Sequence, residues 1–535
     1  FFLVLSIGIT LSIIGSFLGL LIGLILTTIL ISFFNGDLGA NLVFQSVSSL
    51  KFDWVLLLNF VVLGIIVGTI SSILPAVKTA KVLPSEIFKI NQQVSNYFGF
   101  SPKIFILLIL FSIFFLFLPP YKDIYIFSYL SIGVILVSFI YSIPKFSELF
   151  MRLVLSKKNL ICRKKIWSWL AIYRLKNSLE ETGHMLSPVV ASFALTISIV
   201  IMVTSFKTSV VSWLDKLLIA DVYGSIKQDQ GYTNIDKKLR EKISNIDGIK
   251  KIEFSKSFPL SLDASKVDID LVVRKLEHKQ RDAKLPLIGK RLTIKKINSY
   301  YENSENKIVI YLSESMRNVY KLKLNNQLQL PLPGGLYADT IVGGFYRDYS
   351  RQHGSIVILE KDFEKIAGRA DMSSMALWLK EGSEANKVTD SIKNLDESLK
   401  LIEFTNSKKI RDISIKIFDQ TFLVAYLLGF IALFISIFSM LCNLISQMKV
   451  RQEEFSIQNQ LGVKKYELML QTGFENSLIC FQGVLWGTIA GIGISLVLVY
   501  FINPQSFNWT MDYQIPFNYI FFMGFTIILA SFFIS

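Results

Sequence analysis

The stretch VRQEEFSIQNQLGVKKYELMLQTGFE, residues 450–475, is polar and charged, yet apolar runs at 421–446 and 473–502 flank it. Each flanking run is long enough to cross a membrane, which takes roughly 20 apolar residues. A charged helix between two such runs predicts an aqueous segment that joins two membrane spans. The fold therefore follows from where these runs begin and end.

The composition of the chain is that of a polytopic membrane protein. Of its 535 residues 52% are hydrophobic and 43 are Phe, and the mean hydropathy is +0.48. Cys162, Cys442 and Cys480 all lie in or beside apolar runs, which predicts no disulfide framework. Because Phe1 and Ser535 both lie inside apolar runs, we expect the chain to be part of a longer protein.

Eight membrane spans are expected from the apolar runs. They lie approximately at 1–34, 54–74, 104–118, 125–143, 187–206, 421–446, 473–502 and 516–535. The third is short and ends at Pro119-Pro120, which predicts a tight hairpin with the fourth. At about 1.5 Å per residue the first run reaches roughly 50 Å, so it either tilts strongly or projects from the membrane as a stalk.

Basic residues in the connecting segments predict the orientation of the spans. The segments after the second and fourth spans are rich in Lys and Arg, so we place them in the cytoplasm. Alternation then places residues 450–475 in the cytoplasm and the large polar block 207–420 outside. The formal net charge of +15 follows from this topology and does not predict a nucleic-acid partner.

The outer block alternates short apolar strands with turn signals. Runs such as VDIDLVVRK, NKIVIYLS and GSIVILE predict strands, and 233–246, 314–320 and 384–395 predict helices. The predicted fold class is a polytopic α-helical membrane protein with an extracytoplasmic α+β domain.

An internal repeat relates the two ends of the chain. Shifting the first span onto the seventh superposes one glycine triplet on another, and an aromatic-led span follows each. Glycine at every fourth position lets a second helix approach closely, which favours a role in helix packing. The two triplets are Gly15, Gly19, Gly23 and Gly483, Gly487, Gly491.

The second copy resembles permeases of the FtsX and MacB type, membrane subunits of ABC transporters. The family spacing is found at Arg451, Glu454, Leu461-Gly462 and Glu475. The first copy matches the family's tail signature in LPAVKTAKVLPSEIFK, which supplies Pro75, Ala76, Ala80, Pro84 and Glu86. The outer block is similar to the family's MacB-like periplasmic core domain.

The resemblance implies the ten-helix subgroup, in which one chain holds two FtsX-type modules. It divides the chain into the remainder of a first module at 1–90, an extra hairpin and cytoplasmic linker at 91–160, an elbow helix and a membrane helix at 161–207, the outer domain at 208–417, and a second module at 418–535 with its coupling helix at 450–470. Ile7 aligns with Glu475, so the two copies are expected to be functionally unequal.

No catalytic motif is found in the sequence. No P-loop or G-x-S-x-G elbow occurs, and His184, His278 and His353 are too widely spaced for a metal motif. We therefore expect no catalytic residue, metal or cofactor in this chain. The resemblance implies a separate ABC ATPase in two copies, which carries the ATP and Mg²⁺. Membrane lipids are a further expected partner, and a periplasmic or extracellular partner protein is left open.

The segment 450–470 is the expected docking point for that ATPase. Its apolar residues are Phe455, Leu461, Val463, Tyr466, Leu468 and Met469, and its charged residues are Arg451, Glu453, Glu454, Lys464, Lys465 and Glu467. Gly462 would let the helix change direction. The alternative is an interfacial helix on lipid headgroups. For 163–181, with Trp167 and Trp169, we expect an elbow that anchors to headgroups.

Three outputs of such a protein are considered. Movement of the outer domain would extract or export a hydrophobic compound, lipid or lipoprotein, or it would instead regulate a cell-wall hydrolase. A membrane-anchored enzyme would need a site among outer residues such as Asp348, Tyr349, Arg351 and His353.

Overall fold

The computed structural model describes residues 1–33, 53–80, 100–120, 125–156, 166–177, 179–226, 235–263, 265–278, 281–302, 307–332, 335–351, 353–368 and 372–534. They fall into two compact units. The smaller comprises Phe1–Gly99 with Ile417–Val424, and the larger comprises Phe100–Lys416 with Ala425–Ser535. Phe52, Pro84, Glu86 and Cys162 lie outside the described residues.

In its described residues 1–33 and 53–80, the smaller unit forms two apolar helices, α1 (Phe2–Phe33) and α2 (Trp54–Ala80). Small residues line their contact. An added Cβ would lie 2.1 Å from Ser72 Oγ at Gly8 and 2.0 Å from Ser12 Oγ at Gly68. Helices in lipid approach this closely only where side chains are small, so these glycines set the α1–α2 spacing.

The described residues at the start of the larger unit form five helices, α3 (Pro102–Leu116), α4 (Ile126–Tyr141), α5 (Ile143–Ser156), α6 (Ile166–Asn177) and α7 (Leu179–Leu217). The buried hydroxyls of Ser112 and Ser131 join α3 to α4 at 2.8 Å. Polar groups inside a bilayer need such partners, because lipid offers none. The predicted hairpin between the third and fourth runs is therefore formed, and α5 continues α4 after a 46° bend.

The outer domain follows α7. Its helices are α8 (Lys237–Ser244), α9 (Arg281–Lys284), α10 (Ile294–Glu302), α11 (Glu314–Val319), α12 (Glu360–Ala367) and α13 (Ala385–Lys393). Its strands are β1 (Val222–Ile226), β2 (Ile249–Leu260), β3 (Ile269–Arg274), β4 (Leu287–Ile288), β5 (Lys307–Ser313), β6 (Gln327–Leu332), β7 (Leu336–Tyr346), β8 (Ser355–Leu359), β9 (Ser374–Leu379) and β10 (Ile402–Asn406).

These strands form one mixed sheet in the order β10-β1-β9-β2-β3-β8-β5-β7-β4, with β6 paired to β7. Two pairs are parallel, β3 with β8 and β5 with β7, and the other pairs are antiparallel. Every residue of β8 is buried, which requires that both faces of the sheet be covered at its centre. The predicted α+β class of this domain is confirmed.

The chain then returns through α14 (Ser407–Val450), α15 (Gln452–Gln460), α16 (Lys465–Val497), a π-helical turn (Leu498–Ile502), α17 (Asn503–Phe507) and α18 (Phe517–Ile534). The outer domain is attached to the N-terminal end of α14, and α15 follows its C-terminal end. With 44 residues, α14 is about 66 Å long at 1.5 Å per residue, so it separates the two regions by more than a bilayer core.

Six described helices are long and apolar enough to cross a membrane. They coincide with the first, second and fifth to eighth of the expected spans. The expected third span is a 15-residue helix, and the expected fourth reaches membrane length only together with the bent continuation α5. The seventh begins at Lys465 and not at Gly473, because its first two turns are polar and extend beyond the apolar run.

Candidate coupling site

The segment between α14 and α16 is one helix, α15, which a tight turn joins to α16. Gly462 has φ +92°, a backbone conformation that residues with a Cβ rarely adopt. The N–H groups of Gly462 and Val463 donate to the carbonyls of Asn459 and Gln458, so the end of α15 is closed by backbone bonds. A new helix starts after Lys464, whose backbone N–H donates to Glu467 Oε2 at 3.0 Å. The change of direction therefore lies at the glycine.

Arg451 and Glu475 form a buried ion pair across this turn. Arg451 Nη1 lies 2.9 Å from Glu475 Oε2, and the two side chains are only 7% and 6% exposed. Gln471 Nε2 donates to the same carboxylate at 3.2 Å. Removing one member of a buried pair leaves an uncompensated charge, so the pair fixes the end of α14 against the start of α16.

The elbow helix α6 contributes a second cation to this pair. Arg174 Nη1 lies 3.3 Å from Glu454 Oε2 and 3.8 Å from Glu475 Oε2. Glu454 also accepts from Arg451 Nε at 3.2 Å. Two cations and two anions therefore join α6, α14, α15 and α16, and we call Arg174, Arg451, Glu454 and Glu475 the charged cluster.

Arg174 was missed by the sequence analysis, which assigned the elbow to headgroup anchoring. The sequence contained a signal for this contact. The carboxylates of Glu454 and Glu475 need cationic partners, and the elbow carries several basic residues. Trp167 of the elbow also lies against Phe474, with ring centroids 5.7 Å apart. The elbow is thus packed on protein as well as adjacent to the apolar runs.

The predicted apolar residues of 450–470 divide into two groups. Leu461, Tyr466 and Met469 are exposed, together with Ile457, which the sequence analysis did not name. Phe455, Val463 and Leu468 are half-buried, and the Phe455 ring lies 4.6 Å from the Arg451 guanidinium carbon. We call Ile457, Leu461, Tyr466 and Met469 the exposed apolar patch; the flanking Glu453, Lys464 and Lys465 are exposed as well.

The glycine triplet of α16 is packed against α7. A Cβ added at Gly483 would lie 2.7 Å from Val189 Cγ1, and one at Gly491 would lie 2.8 Å from the Ala194 carbonyl oxygen. Gly487 is similarly close to Phe193. Around Gly15, Gly19 and Gly23 of α1, no heavy atom of the described residues lies within 4 Å of the same position. Within the larger unit, α7 thus lies on the second triplet, and within the smaller unit α2 does not reach the first.

The tail signature of the first copy is only partly described. Pro75 lies within α2, Ala76 is fully buried and Ala80 ends the helix in an exposed position. Pro84 and Glu86 lie outside the described residues, so their role stays a prediction.

Two of the three histidines, His278 and His353, have described side chains, and His278 is held within the outer domain. His278 lies between two tyrosines, with Nδ1 2.9 Å from Tyr311 Oη and Nε2 3.0 Å from Tyr301 Oη. Tyr301 in turn donates to Asp362 at 2.6 Å. Burial lowers the pKa of His278 to about 4, so its ring is neutral and serves as a bridge within the domain.

The residues considered for an outer enzyme are used in internal contacts. Asp348 is buried and accepts from Ser350, Arg351 and Ser355, while Tyr349 donates to a backbone carbonyl. Within the described ranges, no three His, Cys, Asp or Glu side chains are grouped so as to hold a metal ion.

Comparisons with known proteins agree with the motif spacing. Residues 426–535 match the FtsX-like permease C-terminal family. An uncharacterized ABC transporter permease protein of Mycobacterium tuberculosis is 21% identical over 350 residues, which are 63% of this chain and 39% of that protein. The chain thus spans about two fifths of the length of this curated relative.

Two solved structures are similar to the outer domain. The periplasmic region of MacB from Actinobacillus actinomycetemcomitans aligns with 37% of this chain and 94% of its own, at 14% identity and a TM-score of 0.27. The extracellular domain of the noncanonic ABC-type transporter YknZ from Gram-positive bacteria covers 35% of this chain and 99% of its own, at 12% identity and 0.24. From the family match at residues 426–535, the similarity to an ABC transporter permease and its apolar helices, this chain is a multi-pass protein of the bacterial inner membrane that is similar to FtsX-like permeases.

Proposed function

We propose that this chain is the permease subunit of an ABC transporter, which transmits the movements of a separate ATPase to the outer domain. The observation that carries the proposal is the exposed apolar patch at the Gly462 turn. Leu461, in the turn, is 79% exposed, and Met469, in α16, is 66% exposed. Apolar side chains held at such a turn fit a groove on a partner protein.

The charged cluster connects this docking point to the membrane helices α14 and α16. A pull on α15 acts on Glu454 and Arg451, and through them on Glu475 of α16 and Arg174 of α6. The ion pair between Arg451 and Glu475 is buried, so separating its two charges would be costly. The ends of α14 and α16 that it joins therefore move together. ATP binding by the partner would therefore shift α14 and α16 as one body.

We assign ATP and Mg²⁺ to the partner ATPase, in two copies, and no cofactor to this chain. The work is done outside the membrane, where the displaced outer domain extracts or exports a hydrophobic compound, lipid or lipoprotein. Regulation of an outer hydrolase would use the same docking point and the same path, so the coupling step is the one to test first.

The test is co-purification of the ATPase subunit co-expressed with the full chain. We expect Leu461→Asp with Met469→Asp to lower the bound ATPase at least tenfold, because both carboxylates would be placed in the apolar contact. Tyr337→Asp, at an equally exposed apolar position of the outer domain, is the matched control. Unchanged ATPase binding by the double variant would instead support a helix that lies on lipid headgroups, and would refute the docking.

A further inference from the structure

The segment 508–514, which joins α17 to α18, is held by the outer domain. Four side chains of that domain reach it, from α11 and from the turn after β7. Asn318 Nδ2 donates to the Asn508 carbonyl oxygen at 3.2 Å, and the other three contact Thr510 and Asp512. The sequence analysis considered residues of the turn at 348–350 only for an enzyme site. Its contacts indicate a different role.

An ion pair forms the first contact. The two Nη atoms of Arg347 lie 2.7 Å and 2.9 Å from the two carboxylate oxygens of Asp512. This bidentate geometry lowers the pKa of Asp512 and raises that of Arg347. The pair therefore fixes the direction of the approach as well as the distance.

Aromatic packing around Tyr349 forms the second contact. Tyr349 is almost fully buried and donates from its hydroxyl to the Thr510 carbonyl oxygen at 2.9 Å. Its ring centroid lies 5.6 to 5.7 Å from the rings of Phe206, Trp213 and Trp509. Two of these rings belong to α7 and one to the segment, so Tyr349 fills the space between them.

A carboxylate forms the third contact. Glu314, in the first turn of α11, accepts from the backbone N–H of Thr510 at 3.0 Å and from its hydroxyl at 2.8 Å. Glu314 is 5% exposed, and both of its oxygens are used. We call Glu314, Arg347 and Tyr349, together with the segment 508–514 that they hold, the outer clamp.

Side chains of the long helix α7 also contact the segment 508–514. Ser209 Oγ accepts from the N–H of Asp512 at 2.8 Å, and Ser205 Oγ accepts from that of Gln514 at 2.9 Å. Trp213 Nε1 donates to the Arg347 carbonyl oxygen at 3.1 Å. The clamp therefore closes on a segment that is already fixed to a membrane helix.

The position of the clamp in the sheet determines what it does. The two covalent connections of the outer domain, α7 into β1 and β10 into α14, enter at neighbouring strands on one edge of the sheet. The clamp lies at the end of β7, six strands from β1 in the sheet order. It therefore attaches a part of the sheet that the two covalent connections do not hold, and this opposes rotation of the domain about those connections.

We propose that Glu314, Arg347 and Tyr349 are positioning residues, which make the outer domain follow α16 and α18 as one body. The buried Asp348 braces them, since Ser350, Arg351 and Ser355 hold its carboxylate and thereby set the turn between Arg347 and Tyr349. The inference rests on the proposed function for its use in transport. Its mechanical part is independent of any ATPase.

The test measures the mobility of the outer domain in the full chain, in nanodiscs, by distances between two nitroxide labels. The labels replace Tyr337 on the outer domain and Tyr519 on α18, both exposed, after Cys162, Cys442 and Cys480 are changed to Ala. We expect one narrow distance distribution, whose width at least doubles in Arg347→Ala. The reversed pair Arg347→Asp with Asp512→Arg should restore most of the narrow width, which simple loss of folding would not do.

Lys380→Ala, which removes an exposed ion pair to Asp247 elsewhere in the outer domain, is the matched control and should leave the width unchanged. A wild-type width in the double variant Arg347→Ala with Tyr349→Phe would overturn the clamp. With the ATPase added, ATP should shift the distance in the Arg347→Ala chain less than in the parent chain. If ATP shifts the distance in neither chain, the proposed function fails. The widths of the distance distributions still test the clamp in that case.

Discussion

Two membrane helices, α1 and α16, which the predicted internal repeat makes comparable, differ in how their glycines are used. Both carry three glycines in the same spacing; α7 packs on the triplet of α16 in the larger unit, whereas α2 does not reach the triplet of α1 in the smaller unit. The polar positions of α16 at Gln471, Glu475, Gln482 and Trp486 correspond to Leu3, Ile7, Ile14 and Leu18 in α1. One repeat is thus polar and buried, and the other is apolar and exposed.

The difference teaches that the glycine pattern alone does not determine what a helix contacts. In α16 the glycines permit the approach of α7, and the polar side chains then require partners, because lipid supplies none. In α1 a different set of small residues, around Gly8 and Gly68, packs on α2. A shared spacing therefore predicts the capacity for close packing, while the neighbouring polar residues predict which helix is buried against protein partners.

The largest expected effect is that of Glu475→Ala. It leaves the buried Arg451 without its main counter-charge, which costs about 3 to 5 kcal/mol. Thermal unfolding of the chain in nanodiscs should show a clearly lower Tm. At the equivalent position of α1, Ile7→Ala removes an exposed side chain and should change the Tm little.

The partner substitution distinguishes charge from packing at this site. In Arg451→Met with Glu475→Ala neither charge remains, so much of the lost stability should return. An equal loss in the single and double variants would show that the volume of the side chains, and not their pairing, stabilises the turn.

Gly491→Leu should have the next largest effect. Its Cβ would meet the Ala194 carbonyl oxygen at 2.8 Å, and backbone cannot move aside as a flexible side chain can. We expect a loss of about 1 to 3 kcal/mol, typical of an overpacked core, measured by the same unfolding transition. Gly19→Leu, in an open position, should leave the Tm unchanged, and equal losses would mean that α1 packs as tightly as α16.

Much of this molecule follows from the pattern of its sequence. Long apolar runs define the helices, because a bilayer requires that every backbone group be bonded within its own segment. The strands of the outer domain are bounded by turn residues, and the helix break at 462 needs the one residue that tolerates φ +92°. These features depend on local chemistry, and the predicted fold class is confirmed.

The candidate site was less predictable, because its contacts join residues that are far apart in the chain. Arg174 is about 280 residues from Glu454, and Arg347 is 165 residues from Asp512. Side-chain charge indicates that a partner is needed but not which partner is near. The two-module, ten-helix organisation likewise stays a prediction, as does the role of the first glycine triplet.

The smallest expected effect belongs to Arg174→Gln. This side chain is 21% exposed and lies at 3.3 Å and 3.8 Å from its two carboxylates, so water replaces part of the lost interaction. We expect a loss of about 1 kcal/mol, and the buried pair 451/475 should persist. Hydrogen exchange should then rise in α6 and not in α16, because α6 alone loses its tie to the cluster. No corresponding change is available to α1, whose residues 2–33 carry no charge. Equal exchange in α6 before and after the substitution would show that Trp167 and the neighbouring apolar contacts hold the elbow without Arg174.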